Sequence, residues 1–347
     1  MITTINARKT MNRSLSRLSR SILTVSALSL SALSLSALSP DAQATDLRML
    51  SSYDLTSAYT REVAQRYIDK VQGASDGEVS ISLNGPDVVP PFEQLQPVSV
   101  GVFDLLYTHG AYHTNTTGVG AAMDGVFVDP AKTRESGLWD FIDSHYNELG
   151  LKLLAIPPLG SSGFQYVLKE PIEGSPGLEG RRLRGSPTYT NVTQGLGGTP
   201  VLMSSGDVYS SLDRNVIDGA AWGLNGVEDL GWHEVAGYFS KPTFGQTYTY
   251  LLMNLDTFNG LSEQEQSVLL AQGEALESEI AGVLDELAVE EWARLRELGM
   301  HETEFAPEDA ERLDELVTEG IWQLGLDKSP EAVAKMREIA ESNDMTP

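Results

Sequence analysis

Residues 262–298 constrain the fold more than any other stretch of this chain. Ser262-Glu263-Gln264-Glu265 is a capping box, in which a serine and a glutamate satisfy free backbone donors at a helix start. Leu269, Leu276, Ile280, Val283, Leu287 and Trp292 then carry an apolar stripe onward with almost no Gly or Pro to stop it. The stripe reads as one very long helix or two nearly collinear ones. At about 1.5 Å per residue it is too long for one small lobe, so it is expected to lie across two. A length of 347 residues also suits two lobes or domains better than one.

The rest of the chain alternates strand and helix. Residues 46–51 read as a first strand, and residues 57–71 place Val63, Tyr67 and Val71 four apart on a helix face. Residues 77–83 alternate Val79, Ile81 and Leu83, a half-buried strand. Residues 98–106 are a further apolar segment, and 151–156 and 164–168 read as short buried strands. Beyond a joint rich in Pro and Gly at 171–180 come a strand at 181–184, a helix at 188–196, a strand at 201–203, a helix at 208–215 and a strand at 220–222. Residues 307–324 and 330–342 close the chain as helices. Such alternation predicts an α/β protein. The expected division is lobe I from 45–161 plus 250–289, lobe II from 162–249 plus 290–328, and a helical tail at 329–347.

The first 44 residues read as a secretory signal peptide. Arg8, Lys9, Arg13, Arg17 and Arg20 form a basic start, a run of Ala, Leu and Ser follows, and Ala42-Gln43-Ala44 is a small-residue cleavage site. The mature chain is expected to begin near Thr45, in the periplasm. Those 44 residues carry five of the 24 Lys and Arg and one of the 49 Asp and Glu, which leaves 19 against 48 and a net charge of −29. That balance excludes nucleic acid as a partner, because phosphate recognition needs clustered Lys and Arg. It suits a monomer with a solvated surface in high salt, where self-repulsion is screened, and points to a halophilic or marine source. Cysteine is absent, which excludes disulfides and thiolate metal sites.

Few motifs carry chemistry. Gly73-Ala74-Ser75-Asp76-Gly77 matches the G-x-S-x-G spelling of a nucleophile elbow, but that device needs strand, turn, helix in order, and here helix precedes strand. His109 and His113 stand four apart without the glutamate of a zinc-protease signature. No cofactor or metal site is expected. The informative stretch is Leu178-Glu179-Gly180-Arg181-Arg182-Leu183-Arg184-Gly185-Ser186-Pro187-Thr188-Tyr189. Arg184 ends a strand, Ser186 can cap the next helix, and Pro187 suits its first turn. A guanidinium fork beside free backbone N–H groups is suited to a carboxylate.

Residues 178–225 resemble the solute-binding subunits of tripartite ATP-independent periplasmic (TRAP) transporters, the dicarboxylate-binding-subunit family. The resemblance is carried by Leu178 to Arg184, then Leu196-Gly197-Gly198-Thr199-Pro200, then Asp207-Val208-Tyr209-Ser210-Ser211-Leu212, then Val216-Ile217-Asp218-Gly219, in order and spacing. Met253-Asn254-Leu255-Asp256-Thr257-Phe258 and the long helix extend it over the mature chain. The resemblance implies two hinged α/β lobes with a ligand cleft between them, and delivery of the ligand to a membrane permease. It places the family's carboxylate-clamping arginine on Arg184. It makes Trp222 and Asn225, in the loop after Asp218-Gly219, candidate ligand contacts. Ala221 stands where keto-acid binders carry a metal-assisting glutamate. Gln165, in Gly163-Phe164-Gln165, stands where many dicarboxylate and sialic-acid binders carry a second arginine. The ligand implied is therefore a polar monocarboxylate such as a sugar acid, hydroxy acid or keto acid. Tyr53, Phe92, Glu93, His109 and Tyr112 are the candidates on lobe I.

Two other classes fit parts of the sequence. A binding subunit of an ATP-driven importer conflicts with the long helix and the 178–225 pattern. A secreted carboxylate-processing enzyme using Glu93 or His109 lacks an ordered set of nucleophile, base and orienting group.

Overall fold

The computed structural model describes residues 44–161 and 163–346. The signal peptide expected over residues 1–44 lies, Ala44 apart, outside the described residues. Among the described residues no helix is long and apolar enough to cross a membrane.

Two sheets carry the fold, each the centre of one lobe. The first is built from β1 (Thr45–Ser51), β2 (Val79–Asn84), β3 (Leu105–Thr108), β4 (Leu151–Ala155) and β10 (Tyr250–Asn254), in the order β2-β1-β3-β10-β4. The second holds β5 (Gln165–Leu168), β6 (Arg182–Gly185), β7 (Thr199–Leu202), β8 (Gly219–Trp222), β9 (Tyr238–Lys241) and β11 (His301–Glu304), in the order β11-β9-β5-β8-β6-β7. β1 runs parallel to β2 and β3, and β10 runs against β3 and β4. β6 runs parallel to β7 and β8, and β5 runs against β8 and β9. β3, β5, β8 and β10 are buried along their whole length, which is why they read as apolar runs without alternation.

The chain crosses between the sheets at 156–164, again at 242–249, and a third time through the long helix. The two short crossings lie antiparallel, joined by Leu159 N to Thr247 O at 3.0 Å, Thr249 N to Pro157 O at 2.8 Å and Gly163 N to Gly245 O at 3.0 Å. The long helix is continuous from Glu263 to Glu297, 35 residues, or about 52 Å. Its capping box is formed as the sequence predicts, with Ser262 N donating to Glu265 Oε2 at 2.8 Å and Glu265 N donating to Ser262 Oγ at 3.3 Å. Leu269, Leu276, Ile280, Leu284 and Leu295 share one buried cluster with Leu47 and Leu105 of the first sheet and Val167 and Ala220 of the second. At Gly273 the helix approaches β4 so closely that a Cβ would lie 2.3 Å from Leu154 O.

Several elements differ from expectation. The first helix starts at Ala58, one residue late, and passes through a π segment (Thr60–Gln65) before its α segment Arg66–Ala74. The apolar segment at 98–106 splits into the end of a short helix, Leu95–Ser99, and the start of β3. The segment expected as a tail forms the helix Pro330–Ser342, which buries Val333, Met336 and Ala340 against Leu106, Ile142 and Leu252 of the first lobe. Ser75 closes the Arg66–Ala74 helix, and its hydroxyl accepts from Val79 N at 3.2 Å, so the G-x-S-x-G spelling is a helix-ending turn.

Candidate functional site

The site follows from where the parallel strands end. In open α/β sheets ligands bind outside the carboxyl ends of the strands, where loops diverge. Here the carboxyl ends of β1 and β3 in one sheet face those of β6 and β8 in the other. Tyr53 follows β1, and His109 and Tyr112 follow β3. Arg184 is the third residue of β6, Tyr189 lies in the turn after it, and Trp222 ends β8. Together with Tyr59, Phe164, Gly223 and the crossing-segment residues Leu159 and Thr247, they line one cavity. Its volume is ≈ 20 Å³, room for about one water.

Arg184 is 1% exposed. Its Nε donates to Met203 O at 3.0 Å and its Nη1 to Ala221 O at 3.2 Å, while Nη2 has no partner. The guanidinium lies over the Trp222 ring, 5.1 Å from its centroid. Among the described residues no carboxylate forms an ion pair with it, so the salt-bridge role common for such arginines is not what holds it. A buried charge with an unused donor is costly unless an anion meets it. Tyr112 and Tyr189 stand beside it. Burial pushes both phenols up, and the nearby guanidinium pulls each part of the way back. Both hydroxyls therefore stay protonated at neutral pH and can donate.

His109 is less available than its position suggests. Its Nδ1 accepts from Ala111 N at 3.0 Å, which leaves the ring hydrogen on Nε2. Nε2 stands 3.0 Å from Thr247 Oγ1 and 3.0 Å from Asp124 Oδ2. The hydrogen is directed to the threonine, and Asp124 Oδ2 is left at ion-pair distance without a hydrogen bond. The one lone pair a general base would use is already occupied, and both neighbours crowd the same nitrogen, so the group is not a relay.

The remaining expectations divide by strand parity. Gln165 starts β5 and points into the scaffold, where its Oε1 accepts from Trp292 Nε1 at 3.1 Å and its Nε2 donates to Gly223 O at 3.3 Å. Its neighbour Phe164 is the one at the cavity. Asn225 donates to Leu284 O at 3.2 Å, and its backbone N–H donates to Tyr59 Oη at 3.2 Å, so it braces the loop. Phe92 stands edge-on behind Tyr112, with ring centroids 5.0 Å apart, and Glu93 is exposed. Ser186 does not cap with its side chain. Pro187 opens a three-residue 3₁₀ turn, Pro187–Tyr189, that runs directly into the helix Thr190–Gly195, so a helix begins beside Arg184 as expected but without the serine cap. Sequence reasoning did not single out Tyr59, Leu159, Phe164, Tyr189, Gly223 or Thr247 as site residues.

His113, four residues from His109, is fully buried, with Nε2 against Thr108 Oγ1 at 2.7 Å and Nδ1 unpartnered. Burial, reinforced by His109, lowers its pKa to about 3. The unfolded chain, near 6.5, therefore takes up the proton first, and stability is lost as pH falls through that window. From pH 7 to pH 5 the loss from this one group is about 2 kcal/mol. His113→Gln, which does not titrate, should show that much less acid sensitivity in urea unfolding. Equal losses in both proteins would show that His113 is not held neutral.

A cavity between two α/β lobes, at the carboxyl ends of strands from both, defines a two-lobed solute-binding fold. The family model described as bacterial extracellular solute-binding protein, family 7, matches residues 58–323, and the chain belongs to that family. A solute-binding protein of Roseobacter denitrificans is 28% identical over 134 residues, 38% of this chain and 41% of that protein. The ectoine-binding periplasmic protein TeaA of Halomonas elongata is 29% identical over 126 residues, 36% of each. The match thus spans less than half the length of these curated relatives. A TRAP periplasmic solute-binding protein from Desulfovibrio desulfuricans, solved with bound sn-glycerol-3-phosphate, superimposes with a TM-score of 0.76 at 20% identity, over 87% of this chain and 98% of that one. At that identity the likeness speaks for the fold.

Proposed function

We propose that this chain is the extracytoplasmic solute-binding subunit of a TRAP transporter, that it captures a small organic acid by pairing the ligand carboxylate with Arg184, and that it delivers the acid to the membrane permease. The observation that carries the reading is Arg184 itself: buried, lining the cavity between the lobes, with an unused Nη2 and no acidic partner among the described residues.

Capture in this reading requires opening, since a cavity of ≈ 20 Å³ admits no organic acid without separation of its walls. Across the cleft the lobes meet through aromatic contacts, Tyr53 and Tyr59 against Trp222 with ring centroids 6.2 and 6.1 Å apart, and through polar ones. Asn225 N donates to Tyr59 Oη, while Ala58 N and Arg61 Nη1 donate to Asp229 Oδ2 at 2.8 and 3.1 Å. Near Gly223 the lobes approach so closely that a Cβ would lie 2.0 Å from Tyr59 Oη. A ligand touching both lobes only when they are closed shifts the population toward closure. Small-angle scattering is expected to show a larger radius of gyration without ligand than with a saturating organic acid. An unchanged radius at saturation, with binding shown by calorimetry, sinks the hinge. Absence of binding to any organic acid sinks the function.

A further inference from the structure

We infer that the ligand is a monocarboxylate built on a flat ring, with no second charge. This rests on the capture function proposed above and names the class of acid.

The walls argue for the ring. Tyr53, Tyr59, Tyr112, Phe164, Tyr189 and Trp222 supply six aromatic faces or edges to one small space. They already pack edge-to-face against one another, Phe164 to Tyr189 at 4.8 Å, Tyr53 to Tyr59 at 5.5 Å and Tyr53 to Trp222 at 6.2 Å between centroids. A flat ring entering as the lobes part restores contacts of the same kind, at the separations aromatic pairs prefer.

The charges argue for a single carboxylate. Among the described residues Arg184 is the one lining residue that carries a fixed charge, and no acidic side chain lines the cavity. A monoanion matches the single charge of Arg184. A dianion leaves a buried negative charge and a zwitterion leaves a buried positive one, each costly without a partner.

The polar groups argue for a carboxylate head. Both His109 nitrogens are engaged within the protein, while the Thr247 and Tyr59 hydroxyls accept from His109 and Asn225 and keep their own hydrogens to donate. With Arg184 Nη2 and the neighbouring Tyr112 and Tyr189 hydroxyls they form a set of donors, which suits carboxylate oxygens.

Calorimetry on the full protein with benzoate, gluconate, phthalate and glycine betaine, repeated on Arg184→Ala, decides the matter. Benzoate is expected to bind at least tenfold more tightly than each of the other three, and to lose that binding in the variant. Any other ranking overturns the inference. If gluconate or phthalate binds best and is lost in Arg184→Ala, the carboxylate clamp stands and the ring class falls. If none of the four binds, the ring class falls, and a wider panel of acids tests the capture function separately.

Discussion

Arg184→Ala should weaken binding of the cognate acid by roughly thirty-fold to several thousand-fold. Truncating one partner of a desolvated, hydrogen-bonded charge pair costs about 2–5 kcal/mol, because the other charge is left buried alone. At about 1.4 kcal/mol per decade that cost gives the range stated. Arg184→Lys should fall well below wild type too. The guanidinium holds Met203 O with Nε and Ala221 O with Nη1 while keeping Nη2 for the ligand. An ammonium has no such fork and cannot serve both backbone carbonyls and a carboxylate in that geometry. Both variants should stay folded, since what they lose inside the protein is two neutral acceptors and one face of Trp222. Calorimetry on the three proteins, with circular dichroism melts as the control, reads the effect. Binding by folded Arg184→Ala within threefold of wild type would make Arg184 a scaffold residue and misplace the site.

What the sequence discloses about this site depends on strand parity and on motif density. Arg184 was legible because a strand end, a proline turn and a spaced family pattern coincide there. Trp222 was legible as the last residue of a strand following Asp218-Gly219. Gln165 and Phe164 show the limit. Successive residues of a strand face opposite ways, so an expectation off by one residue trades a cavity wall for a scaffold contact. Tyr59, Leu159 and Thr247 reach the cavity from a helix start and from the two crossing segments, which carry no motif, and only the register of those crossings puts them there. At the level of fold, the long helix announced itself through its capping box and stripe. The helix Pro330–Ser342 was visible as a helix, but its return to the first lobe was not, because amphipathicity fixes which face is buried and not against what. The acidic surplus hid two buried acids that brace the scaffold. Glu277 and Glu291 look like the other acids of residues 263–297, yet both are buried. Their signal is position, since Glu277, Leu284 and Glu291 are spaced by sevens along the buried stripe.

Glu277→Leu should therefore be among the most destabilising single changes on the long helix, by about 3–5 kcal/mol. The Glu277 Oε1 accepts from Ile156 N at 2.5 Å and from Trp139 Nε1 at 3.1 Å, and Oε2 pairs with Arg134 at 2.7 Å. Ile156 begins the first crossing segment, so this carboxylate ties the helix that spans both lobes to the chain that hinges them. Burial pushes the carboxyl up from the usual glutamate range, and Arg134 opposes that shift. Leucine fills a similar space but accepts nothing. It leaves a backbone donor and an indole donor unsatisfied, and it leaves the Arg134 guanidinium without its anion. At roughly 2–4 °C per kcal/mol for a protein near this size, the melting temperature should fall by roughly 6–20 °C. Glu279 supplies the comparison two residues away. It pairs with Lys70 at 3.1 Å, with about a third of each side chain in solvent, and an exposed pair of that kind is worth about 0–1 kcal/mol. Glu279→Leu should hence be nearly silent in the same thermal melt. If Glu277→Leu costs no more than Glu279→Leu, the buried carboxylate does not anchor the helix, and the spanning helix is held by its apolar stripe alone.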